Sequence, residues 1–178
     1  MADHRPPRPA PENGFLADHV RMVLDSLDRL TGRRPIDPTA PPEEQARAVF
    51  HAPFVLVSHG TEDDPRLNYG NLAALALWEA DWETFTSVPS RLTADSPTQA
   101  ERTHLLRQAR ERGVIDHYSG VRVTFGGRRF MIENATLWTV SGTDGTYRGQ
   151  AALFERYRYL TSPPGTHHLA VDREPPPR

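Results

Sequence analysis

SGVRVTFGGRRFMIENATLWTVSGTDGTYRGQAALFERY, Ser119 to Tyr157, contains three runs of β-branched and apolar residues separated by Gly126-Gly127 and Asp144-Gly145. Paired glycines and Asp-Gly between such runs mark tight turns, so the stretch reads as three antiparallel strands in a meander. Two-residue loops would set Val121 opposite Ile132, Val123 opposite Phe130, Leu153 opposite Thr136 and Ala151 opposite Trp138, all on one surface. That surface is core. The reverse surface carries Met131, Ala135, Leu137, Ala152 and Phe154 together with Arg122, Glu133, Gln150 and Arg156, with Glu133 facing Arg156. A sheet that is apolar on both faces needs cover on both. Helices between the strands are expected on one, and an N-terminal helix or a second subunit on the other.

Ahead of the meander, SPTQAERTHLLRQARERG reads as a helix with Ser96 as N-cap, Pro97 in its first turn and Gly113 past its end. Further upstream, Phe54 to Ser58 (FVLVS) is apolar on both sides, as suits a central strand. Asn68 to Asn71 (NYGN) turns the chain, and Asn71 is placed to cap a two-turn helix from Leu72 to Glu79. That helix is apolar all round and stable only when buried, so scaffold is the first reading of NYGN. PPEEQARAVFHA gives another short helix with proline at its opening turn. In the first helix Leu16, Val20, Val23, Leu24, Leu27 and Leu30 recur at helical spacing, with Asn13 as its cap and Gly32 at its end.

Proline marks the boundaries. Of the 17, four precede Glu12 and five follow Ser162. The expected organisation is a disordered tail over 1–13, one domain over 14–160 and a second tail over 161–178. Within the domain the reading is an N-terminal helix (14–31), a linker (32–41) and a core (42–160). The 178 residues, 37% hydrophobic and 25% charged, suffice for one such core. A net charge of -2 leaves no basic footprint, so no nucleic-acid partner is expected. No run approaches the roughly 18 apolar residues of a membrane span, and the N-terminus lacks a secretory apolar core. No membrane partner is expected, and the reading is a cytoplasmic protein. Cysteine is absent, which removes disulfides, thiolate catalysis and flavin–cysteinyl adducts.

The order of these elements resembles that of a PAS domain: an α+β fold with an antiparallel sheet of about five strands, short helices on one face and an N-terminal helix on the sheet or at a dimer contact. More narrowly, SHGTEDDPRLNYGNLAALALWEADWETFTSVPSR, AERTHLL, YSGVRVTFGGRRFMI and GQAALF resemble the PAS-related MEKHLA domain, over Phe15 to Tyr159. That family includes small stand-alone bacterial proteins. The resemblance implies a ligand sensor, a cofactor holder or a dimerisation surface, and the fold alone does not choose among them.

Arg102 is the sharpest internal clue. Thr98, Arg102, Leu105, Leu106 and Ala109 share one stripe of their helix, which puts a permanent charge on a core-facing side. It needs Glu133, Glu101 or Glu79, a ligand's carboxylate, or an escape to solvent. Arg91 in VPSR could join it against a carboxylate or phosphate, or lie at the surface. Trp78, Trp82, Tyr69, Tyr118 and Trp138 could line a pocket for a planar ligand, with Gln150, Asn68 and Asn71 supplying directional hydrogen bonds and Arg122 a further candidate contact; core packing is the plain alternative. Flavin-binding PAS domains present a glutamine from the final strand, which draws attention to Gln150. Haem-binding ones take a histidine from the long helix, but His104 falls well away from the Arg102 stripe. Neither cofactor is expected, and His51, His59 and His117 show no metal spacing. No nucleophile elbow or phosphate-binding glycine pattern occurs. The leading reading is a non-catalytic sensory module binding a small organic, anionic ligand between sheet and helices. The alternative is a ligandless module that contacts a second copy or a partner protein; a small enzyme ranks third.

Overall fold

The computed structural model describes residues 5–161. Along the chain run α1 (Ala17–Thr31), α2 (Pro42–Phe50), β1 (Val55–His59), β2 (Leu67–Gly70), α3 (Leu72–Trp78), α4 (Trp82–Ser87), α5 (Ser96–Arg112), β3 (Val114–Val123), β4 (Arg129–Ser141), β5 (Tyr147–Phe154) and β6 (Arg156–Tyr159). The strands form one antiparallel sheet in the order β2-β1-β5-β4-β3, with β6 paired to β4. The α+β fold and the closing meander are as the sequence suggests. The sixth strand arises where β5 breaks at Glu155 and the chain continues along the first half of β4.

Register follows the turns. Leu153 pairs with Thr136, Ala151 with Trp138 and Glu133 with Arg156, as expected. β3 against β4 is displaced by one residue, so that Val121 meets Met131, Arg122 meets Phe130 and Val123 meets Arg129. The loop spans three residues, Phe125 to Gly127, closed by Thr124 N–H to the Arg128 carbonyl at 2.8 Å. Gly127 adopts φ 89°, the left-handed position that a three-residue hairpin loop requires. The second loop is built the same way, with Gly145 at φ 77°. There a register shift between Val140 and Ser141 restores the pairing that a two-residue loop would have set.

Two bulges decide which residues share a face. Shifts flank Tyr118, with left-handed residues at His117 (φ 54°) in β3 and Asn134 (φ 56°) in β4. His117 Nδ1 lies 2.7 Å from Asn134 Oδ1, tying the bulges together. The extra residue in β4 reverses its alternation. Ile132 therefore lies on the face of Ala135 and Leu137, whereas Trp138 points the other way. This corrects the expected grouping of Phe130 and Ile132 with Thr136 and Trp138: the alternation of a regular strand does not survive a bulge.

α1 covers the outer face. Its Val20, Val23, Leu24 and Leu27 are buried, Trp138 Nε1 donates to the Val23 carbonyl at 3.1 Å, and Ser26 Oγ accepts from Ser141 N–H at 3.0 Å. The helix ends at Gly32 with φ 70°, as its spacing predicted. Its start differs. A 3₁₀ segment, Pro11–Leu16, precedes it, and Asn13 instead accepts from Ala10 N–H and donates to the Arg8 carbonyl. Residues 5–13 are not the expected free tail: Pro9 is buried and the Pro6 carbonyl accepts from Trp82 Nε1 at 2.8 Å. The second expected tail lies outside the described residues from 162 onward. On the inner face lie α3, α4 and α5, the last capped at Asp95 rather than Ser96.

Candidate functional site

Asn71 is fully buried, and every polar atom of its amide is used inside the protein. Its Oδ1 accepts from Leu56 N–H at 3.1 Å and Ala74 N–H at 3.2 Å, while Nδ2 donates to the carbonyls of Val49 (3.1 Å) and Phe54 (2.7 Å). One side chain thus caps α3 and ties it to β1 and to the end of α2. It has nothing left for a ligand, which corrects its place among the candidate contacts.

Between the inner face and α5 lies a cavity of about 60 Å³. Its walls include Val57, Trp78, Phe85, Leu106, Ile132, Ala135, Leu137, Ala152 and Phe154; its polar groups include His59, Thr93, Arg102, Tyr118, Arg122 and Gln150. Among the described residues no carboxylate lines it; Asp64, paired with Arg91, acts on Arg102 only through space. Arg102 enters from α5 and is 8% exposed; Arg122 enters from β3 and is 7% exposed. Among the described residues neither forms an ion pair. Burial, with the Arg122 charge next in weight, pushes the Arg102 guanidinium down to about 9, so it still carries its charge at neutral pH. Arg122 Nη1 donates to the Val121 carbonyl at 2.7 Å and to Tyr118 Oη at 3.1 Å. Tyr118 can fold back this way because residue 120 is glycine: a Cβ there would collide with the phenol oxygen.

The internal acids proposed for Arg102 are engaged elsewhere. Glu133 accepts from Arg158 Nε at 3.0 Å, Glu79 holds Arg128 at 3.1 Å and Thr124 at 2.9 Å, and Glu101 is exposed. The helical stripe correctly turned Arg102 inward, but a structural salt bridge does not meet it there.

His59 is the residue that sequence reading missed. Its Nδ1 lies 2.9 Å from the Gly60 carbonyl, an acceptor only, so Nδ1 carries the proton and Nε2 presents a lone pair. Nε2 is buried and meets no partner at hydrogen-bond geometry, although the Gln150 side chain is close enough to act on the ring. Burial is the main cause that lowers its pKa, and the Arg102 charge adds to it. The available signal is period-2 alternation, which sets His59 after Val57 on the inner face, one residue beyond the FVLVS run. Gln150 sits beside it and spends its Nε2 on the Leu106 carbonyl at 2.8 Å, fastening α5 to the sheet.

Other candidates lie away from the cavity. Tyr69 stacks on His19 with centroids 5.6 Å apart, and Asn68 Oδ1 accepts from Ser58 Oγ at 2.6 Å, itself 3.0 Å from His19 Nε2. Both belong to the contact under α1. Trp138 belongs there too. Arg91 is half exposed and pairs with Asp64 at 3.1 Å. Trp78 does reach the cavity, packed edge-on against Phe85, Phe130 and Phe154, with Nε1 buried and unpartnered. His104 is exposed and contacts Arg107 at 3.1 Å. Among the described residues no group of three His, Asp or Glu could hold a metal ion, and no helix is long and apolar enough to cross a membrane.

The family model of the MEKHLA domain matches residues 17–159. No curated protein matches the chain at a significant level. Among solved structures, a PAS domain from Colwellia psychrerythraea is similar at 14% identity and TM-score 0.57, covering 67% of this chain and 96% of that one. An RNA-binding light-oxygen-voltage receptor is similar at 17% identity and TM-score 0.57, over 68% of this chain and 35% of that one. The light-state dimer of the fungal blue-light photoreceptor Vivid is similar at 14% identity and TM-score 0.52, covering 75% and 91%. At these identities the likeness is one of fold.

Proposed function

The chain belongs to the MEKHLA domain family and has a PAS-type fold, and on that premise we propose that it is a non-catalytic sensory module holding a small anionic ligand between sheet and helices. One observation carries the reading: two arginines, one from α5 and one from β3, are buried at the same cavity, and among the described residues neither forms an ion pair. Burying an unpaired charge costs several kcal/mol, so an anion bound there relieves a penalty already present in the empty protein. Because one guanidinium comes from a helix and the other from a strand, their neutralisation by one anion would draw α5 towards β3. Occupancy then shifts the packing of α5 by as much as the ligand prefers the closed state.

The test is Arg102→Met. If a salt bridge held this side chain, the substitution would cost about 3–5 kcal/mol. On the present reading the ligand-free variant is more stable than the parent by about 1–4 kcal/mol, because a desolvated charge is replaced by an apolar side chain of similar length. Native mass spectrometry of protein purified from cells should show a small retained mass in the parent and none in the variant. Loss of stability with no retained mass in either protein would remove the proposal.

A contact surface is the second reading, and β6 favours it. All four of its residues are exposed, and Tyr157 and Tyr159 are each 41% exposed on an otherwise arginine-rich edge. α1 already covers the part of the outer sheet face around Trp138 and Ser141.

A further inference from the structure

Taking the cavity as a ligand site, we propose that its ligand is a short hydroxycarboxylate, with the carboxylate between Arg102 and Arg122 and the hydroxyl donated to His59 Nε2. The two arginines ask for negative charge. His59 asks for something else. Its Nδ1 proton is committed to the Gly60 carbonyl, so the buried Nε2 can only accept, and a bare carboxylate has no hydrogen to offer it. The ligand must therefore bring an anion and a donor together on one small frame.

Two candidate donors are an ammonium and a hydroxyl. An ammonium would enter beside two guanidinia with no carboxylate in the wall to balance it, so an amino acid is disfavoured by like charge. A hydroxyl carries no such penalty. Size narrows the class further: 60 Å³, against about 10–15 Å³ for one water, takes about four to six non-hydrogen atoms. The remaining wall, including Trp78, Leu137 and Phe154, is apolar and suits a carbon chain of one or two atoms rather than a fully hydrated ion. Tyr118 Oη accepts from Arg122, which leaves the phenol proton free to donate to a ligand oxygen.

The experiment is a matched series on the full chain: L-lactate and glycolate; propionate, which lacks the hydroxyl; L-alanine, which replaces it with an ammonium; and inorganic phosphate. Binding is measured by calorimetry at neutral pH, with thermal shift as a second readout. Lactate or glycolate should bind at least about tenfold more tightly than propionate, because propionate leaves a buried acceptor unpaired. In His59→Phe that preference should vanish while propionate binding persists, and in Arg102→Met all binding should vanish. Equal affinity for lactate and propionate would overturn the hydroxyl assignment, and phosphate outbinding both would overturn the organic class. Should none of these probes bind while cell-purified protein retains a mass in native mass spectrometry, the hydroxycarboxylate is refuted and the sensor reading survives. Absence of both signals refutes both.

Discussion

Asn71 and Arg102 are both buried polar residues, and they differ in whether the protein answers them. Asn71 has partners on the backbone of α2, the residues entering β1, β1 itself and α3. Replacing it with alanine removes a helix cap, worth about 1 kcal/mol, and strands buried donors and acceptors at about 1–3 kcal/mol each. Asn71→Ala should lower stability in urea by about 3 kcal/mol or more. Asn71→Asp should be no milder, because a carboxylate cannot donate to the Val49 and Phe54 carbonyls. If the aspartate variant matches the parent, the amide's two donated bonds carry no weight. The sequence announced Asn71 through its position before an apolar helix, but its reach to α2 and β1 depends on segments brought together by folding. Arg102 was legible as interior from the spacing of its neighbours, whereas its lack of an acid was not.

At the level of elements, glycines and bulges set the geometry that places the site. Gly149 has φ 127°, and a Cβ there would collide with the His59 carbonyl oxygen on β1. The close approach of β5 to β1 at this point also positions Gln150 beside His59. Gly149→Ala should therefore destabilise the fold by about 3 kcal/mol or more, through backbone strain and steric conflict together. Chemical denaturation measures it, and a neutral result would mean that β1 and β5 can separate here without loss. The bulges at His117 and Asn134 act on the site more directly. By reversing the alternation of β4 they bring Ala135 and Leu137 into the cavity wall with Ile132, and they send Trp138 to α1. Neither bulge has a local signature such as glycine, which is why the strand read as regular.

At the scale of the whole molecule, the sheet is a partition with a charged cavity on one side and a helix-covered polar seam on the other. In that seam the half-buried His19 packs against Ser58 and Tyr69, and desolvation lowers its pKa from 6.5 to about 4. The unfolded chain takes up a proton below about pH 6.5 that the folded chain refuses until about pH 4. Stability from this residue is thus complete above 6.5 and falls as pH drops towards 4, by a few kcal/mol in all. His59 shifts in the same direction and adds to the slope. Melting temperature should therefore drop between pH 7 and pH 5, and His19→Gln should flatten that drop. A parent protein whose melting is level across this range would show that α1 lifts away and wets the seam.

Neighbours along the chain were enough to specify the meander, the helices and most of their ends, the inward turn of Arg102 and the cap at Asn71. Tertiary structure decided the rest. It displaced the first hairpin by one residue, chose the face that lines the cavity, set Arg122 and His59 beside Arg102, and moved Asn68, Tyr69, Arg91 and Trp138 away from it. The physical reason is that helical stripes and caps arise from contacts three or four residues apart, while a cavity is bounded by strands and helices far apart in the chain. One added residue in a strand is enough to exchange which side chains face it.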